Sequence, residues 1–141
     1  MRRGWWLALL GGLVLVGGLV LGGCGGSSSQ TRIQRVSPKE AYELLQAHQN
    51  DPNFVVLDIR TPQEFQAGHL PGAINIDFYA PDFAQQLDQL DKTKTYLVYC
   101  RSGNRSGQAL PIMRKLGFQE VYELQGGILA WAQANLPIVA P

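Results

Sequence analysis

Charge is scarce in this 141-residue chain, at 16% of residues, and no acidic residue occurs before Glu40. Arg2 and Arg3 account for two of the twelve Lys and Arg residues, so from Cys24 onward ten basic residues face eleven acidic ones, a net of about −1. A near-neutral segment without a Lys/Arg cluster lacks the electrostatic footprint that phosphate-backbone binding needs, which argues against nucleic acid as a partner. Cysteine is equally sparse, with Cys24 and Cys100 alone. No internal repeat is visible. With 45% apolar residues the length suffices for one modest domain with its own core, and two would not fit.

The first 23 residues do not read as part of that domain. Met1-Arg2-Arg3 is a short positive region, Trp5 to Leu21 is an uncharged apolar run, and Leu21-Gly22-Gly23-Cys24 closes it with small residues before a thiol. This pattern resembles the bacterial lipobox, which implies removal of residues 1–23 and a diacylglycerol on Cys24. A retained transmembrane anchor and ordinary cleavage with a free Cys24 compete with it, although the glycines of the run weaken a spanning helix. Each reading keeps the domain outside the cytoplasm, facing the periplasm or the cell exterior. Residues 24–32 are then a lipid anchor and a flexible Gly/Ser tether, and residues 33–138 are the domain, expected to be a monomer on the membrane.

Within the domain, strand-like and helix-like segments alternate, the pattern of an α/β fold with a mainly parallel sheet. Ser37-Pro38-Lys39-Glu40 and Thr61-Pro62-Gln63-Glu64 are capping boxes with proline at the first helical position. The first opens a helix to about residue 48 and the second a short one. Phe54 to Leu57 and Tyr96 to Tyr99 are apolar runs suited to strands buried on both faces. They end at Asp58 and Cys100, and such strand ends form the functional edge of a parallel sheet. A helix is expected over Pro81 to Leu90, another through Ala109, Ile112, Met113 and Leu116 with Gly117 as its C-cap, a strand over Val121 to Leu124, and a closing helix around Ile128 and Trp131. Pro111 falls inside one of these helices, at a cost of about 3 kcal/mol in an ordinary helix, and predicts a kink.

Cys100 leads into Arg101-Ser102-Gly103-Asn104-Arg105. Gly103 and Asn104 tolerate left-handed backbone, and a curl of successive amides makes an anion-binding nest. The amides, the helix N-terminus beyond them and the two arginines favour a thiolate on Cys100. A buried, inert cysteine is the bland alternative. A nucleophile in such a cradle serves either sulfur transfer or phosphate-ester hydrolysis. The six-residue loop favours the first, because a tetrahedral phosphate needs one residue more.

Four segments, Leu57-Asp58-Ile59-Arg60-Thr61-Pro62-Gln63-Glu64-Phe65, Gly68-His69-Leu70-Pro71-Gly72-Ala73-Ile74-Asn75-Ile76, Cys100 to Ser106, and Leu124-Gln125-Gly126-Gly127-Ile128 with Trp131, resemble the motifs of the rhodanese family in the family's order. The resemblance implies a single rhodanese-like domain, with a five-stranded mainly parallel sheet flanked by helices on both faces. It implies a sulfurtransferase in which Cys100 forms a persulfide, with no metal and no organic cofactor. The implied partners are a small anionic donor such as thiosulfate and a thiol, cyanide or protein acceptor. Arg101 and Arg105 are the candidates for holding the donor. Asp58 is expected to accept hydrogen bonds from the loop and Arg60 to pair with Glu64, both as supports. His69 and Trp131 read as packing residues and His48 as an exposed cap. A non-catalytic binding module and a redox-sensing thiol remain as rivals.

Overall fold

A computed structural model describes residues 30–141; the leader, Cys24 and most of the tether lie outside the described residues. The chain runs β1 (Arg32–Val36), α1 (Pro38–Ala47), β2 (Phe54–Asp58), α2 (Pro62–Ala67), β3 (Ile74–Asn75), α3 (Phe83–Asp88), β4 (Thr95–Tyr99), α4 (Asn104–Leu116), β5 (Glu120–Leu124), α5 (Gly127–Gln133). The five strands form one sheet in the order β1-β5-β4-β2-β3, parallel throughout. Among the described residues no helix is long and apolar enough to cross a membrane.

Strand periodicity sorts the core into two layers. Leu57, Tyr96, Val98 and Val121 face one side, where α3 contributes Phe83 and Leu87 and α4 contributes Ala109, Leu110 and Met113. Val56, Leu97, Tyr99 and Leu124 face the other, against Ala41 of α1 and Ile128 and Trp131 of α5. Helices therefore cover both faces, which is why the central strands carry unbroken apolar runs. Trp131 is fully buried, and its indole N–H donates to the Pro137 carbonyl at 2.9 Å.

Both capping boxes form as the sequence predicts. The hydroxyls of Ser37 and Thr61 accept from the amides of Glu40 and Glu64, whose carboxylates accept in return from the amides of Ser37 and Thr61. One element differs from expectation. Helix α3 is shorter than the Pro81 to Leu90 segment, beginning at Phe83 without a side-chain cap from Asp82. Helix α4 contains Pro111, as the sequence places it, on its exposed side.

Candidate active site

Strands β2 and β4 lie side by side with Asp58 opposite Tyr99. The chain leaving β4 turns at once into the loop Cys100 to Gly103. Gly103 makes the turn with φ +98°, a left-handed conformation that a side chain resists. Asn104, also expected to serve as a left-handed residue, is instead the first residue of α4. The loop curls around the sulfur. Cys100 is fully buried, and its Sγ accepts from the Gly103 amide at 3.1 Å and the Ser106 amide at 3.4 Å.

The loop is braced from behind by α5. The amides of Ile128 and Leu129 donate to the carbonyls of Cys100 and Arg101 at 2.9 and 3.1 Å. Gly127 permits this approach, since a Cβ there would lie 2.5 Å from the Cys100 and Arg101 carbonyl oxygens. Gly127 thus makes a backbone-to-backbone contact that closes the site.

Burial pushes the Cys100 thiol up, but its hydrogen bond with the Ser106 hydroxyl and those from the Ser106, Gly103 and Ser102 amides outweigh it, leaving the thiol below its ordinary value. The direction matches the expectation from sequence, while its source is mainly neutral dipoles rather than arginines.

Arg105 is not free in the loop mouth. Its guanidinium forms a two-pronged pair with Glu64, with N–O distances of 2.8 and 2.9 Å, and stacks over the exposed ring of Tyr79 at 5.4 Å. The hydrogen bonds from Arg105, with the capping contacts of Thr61, hold the Glu64 carboxyl down at about 2. Arg101 and Ser102 are exposed at the mouth, and Arg101 forms no ion pair among the described residues.

Two expected contacts are replaced by others. Arg60 does not pair with Glu64. Its guanidinium turns back onto Asp58 at 2.6 Å and also donates to the Gly68 carbonyl. The cause is local, because the Asp58 carboxylate already receives the Arg60 backbone amide at 2.8 Å, which folds the two side chains together. Asp58 likewise accepts nothing from the Cys100 loop. Its remaining acceptor capacity goes to the Tyr99 hydroxyl at 2.6 Å, and that hydroxyl accepts from the Leu70 amide at 3.0 Å. Burial, together with the Asp58 charge, drives the Tyr99 phenol far above its ordinary value. His69 stacks on Phe65 at 3.9 Å and is held by the Phe65 carbonyl, and His48 stacks on Phe54 and pairs with Asp51.

Sequence reasoning passed over two residues that the fold brings to the sulfur. The Ser106 hydroxyl lies 3.5 Å from Cys100 Sγ and donates to the buried carboxylate of Glu123 at 2.6 Å. A signal was available for Glu123: by strand period it shares the inward face of β5 with Val121, where an acid needs a partner.

Comparison with known proteins points the same way as the geometry. Residues 38–134 match the family model described as "Rhodanese-like domain". A protein named sulfurtransferase from Allochromatium vinosum is 35% identical over 106 residues, covering 75% of this chain and 97% of the relative. Thiosulfate sulfurtransferase 16 of Arabidopsis thaliana chloroplasts is 36% identical over 115 residues, covering 74% of this chain and 92% of that one. Some relatives are longer; the chain spans 59% of an uncharacterized Synechocystis protein that is 39% identical to it. Among solved structures, a rhodanese-related protein from Thermoplasma volcanium superposes with a TM-score of 0.66 at 29% identity, covering 77% of this chain and 99% of that chain. A family model spanning most of the chain, on a sheet with the cysteine at a central strand end, makes this chain a member of the rhodanese-like domain family.

Proposed function

We propose that the domain moves a sulfane sulfur through a persulfide on Cys100. The observation that carries this reading is the buried Sγ held by two inward-pointing amides, Gly103 at 3.1 Å and Ser106 at 3.4 Å. The Cys100 thiolate attacks the outer sulfur of thiosulfate, the new S–S bond forms as the S–S bond of the donor breaks, and sulfite departs with its electron pair. The negative charge moves to the outer sulfur of the persulfide, where the amides of the loop Arg101 to Arg105 stabilise it. A nucleophilic acceptor such as cyanide, a thiol or a protein cysteine then attacks that sulfur, and Cys100 leaves as thiolate. No metal or cofactor enters the cycle. The name of the Arabidopsis relative supports thiosulfate as a donor. Arg101, exposed and without an ion pair among the described residues, is assigned to steering the dianionic donor. Arg105, held by Glu64, shapes the mouth.

The sequence pattern ending at Cys24 supports a lipid anchor there, with the domain outside the cytoplasm as a membrane-bound monomer. Steady-state transfer from thiosulfate to cyanide tests the chemistry. Double displacement gives parallel lines in double-reciprocal plots, and intersecting lines would mean that no sulfur-loaded enzyme stands between the two half-reactions.

A further inference from the structure

Glu123 is buried to 3% exposure on the core-facing side of β5 and has no part in the sulfur-transfer steps above. Its Oε1 takes the Ser106 hydroxyl at 2.6 Å, and the Ser106 oxygen in turn lies 3.5 Å from Cys100 Sγ, with both Ser106 and Cys100 fully buried. The three side chains form one file. When Cys100 is a thiol the file is satisfied, since S–H donates to the Ser106 oxygen and the Ser106 O–H donates to the carboxylate.

Removal of the thiol proton to solvent breaks this order. A serine hydroxyl has a single proton to donate. With thiolate on one side and carboxylate on the other, that proton satisfies one anion and leaves the other facing an oxygen lone pair. Two anions one hydroxyl apart in a buried site also repel strongly. Both costs vanish if the proton stays within the file.

We propose that Glu123 stores the proton of Cys100: the Cys100 S–H bond breaks as an O–H bond forms on Ser106, and the original Ser106 proton passes to the Glu123 carboxylate. Atoms and charge balance within the file, which keeps one negative charge and shifts it from carboxylate to sulfur. The reactive form is a thiolate receiving the Ser106 O–H and the Gly103 and Ser106 amides, beside a neutral Glu123. Glu123 is a positioning residue in this scheme, acting on the sulfur through Ser106.

The charged groups around the file allow this. Facing Glu123 from β1 is Arg35, with its Nε 3.5 Å from Oε2, on a side chain 60% exposed and so screened by water. From α4, Arg105 faces the sulfur but is paired with Glu64 of α2. Helix α5, which braces the loop, carries no charged residue.

The inference rests on Cys100 acting as the nucleophile, and its test does not depend on sulfur transfer. Alkylation of Cys100 in the full chain by the neutral reagent iodoacetamide is followed against pH, with Cys24 separated by peptide mass. A file sharing protons loses them in two coupled steps, so the wild-type rate rises in two steps with a plateau between them. Glu123→Gln collapses the profile to a single step. A second measurement needs no variant: the infrared spectrum at neutral pH contains a protonated-carboxyl stretch that disappears when Cys100 is alkylated, because the stored proton is then released. A one-step wild-type profile with no such band overturns the proposal, even in a chain that takes up sulfur. A two-step profile in a chain that takes up no sulfur upholds the proton store and overturns the sulfurtransferase reading alone.

Discussion

Strands β2 and β4 end next to each other, yet the two ends are built from different materials. At the end of β2, Asp58 and Arg60, joined by the Tyr99 hydroxyl from β4, form a charged cluster with Arg60 only 5% exposed. After β4, a neutral curl of amides surrounds a sulfur whose proton can leave. The first arrangement has one low-energy state, because each ion is buried with its counter-ion. The second holds the sulfur with amide dipoles, which stabilise an anion without neutralising it. Ion pairs fix the backbone beside the loop, and dipoles are left to the chemistry.

Removing the reactive atom should separate the two ends most sharply. Cys100→Ala is expected to lower thiosulfate-to-cyanide transfer by on the order of 10³-fold or more, while the far-ultraviolet spectrum and unfolding midpoint stay close to wild type. Residual transfer at a tenth of the natural rate would move the nucleophile elsewhere. The opposite result is expected for Arg60→Ala, which strands the Asp58 charge in the interior. It should cost about 3–5 kcal/mol in urea unfolding, with Cys100 in the remaining folded protein titrating as before. A loss under about 1 kcal/mol would mean that the cluster is not the support described here.

Gly127→Ala strikes the brace between α5 and the loop. The added Cβ, 2.5 Å from the carbonyl oxygens, shifts the loop by several tenths of an ångström or more. Because an error of about 1 Å in a reacting group costs about 10²-fold, kcat/KM is expected to fall by roughly 10- to 100-fold. Unchanged kcat/KM would show that the loop holds its shape without the brace.

The smallest effect concerns pH. Glu64 has its pKa lowered from 4.5 to about 2 by Arg105 and its cap, so the folded state holds fewer protons on this group than the unfolded chain. Its contribution to stability is complete above pH 4.5 and is lost as pH falls toward 2. Glu64→Gln should therefore differ from wild type in unfolding midpoint at pH 6 and converge with it on acidification. A gap that widens with acid would contradict the pairing. The effect is modest, since the Glu64 side chain is 28% exposed.

Much of the architecture was legible because its signals are local. The two capping boxes set the starts of α1 and α2 from four residues each, and the apolar runs of β2 and β4 put Asp58 and Cys100 at neighbouring strand ends. Side-chain pairing was not legible to the same degree. Glu64 and Arg105 stand 41 positions apart, and their meeting depends on how α2 sits against α4, which no local pattern encodes. The sequence suggests Glu64 as the partner of Arg60, but the backbone turn after β2, with the Arg60 amide on Asp58, redirects the guanidinium to Asp58. Pro111 falls inside α4 where the sequence puts it, at an exposed position of the helix. Glu123 was hidden by its apolar neighbours, although an acid on an inward position of a central strand is itself a signal.

Intact mass of the chain before and after incubation with thiosulfate, for the natural sequence and Cys100→Ala, tests the central claim most directly. The account predicts a gain of one sulfur atom, mapped to Cys100, removed by cyanide and absent from the variant. A natural chain that gains no sulfur, or a variant that gains as much, would contradict it.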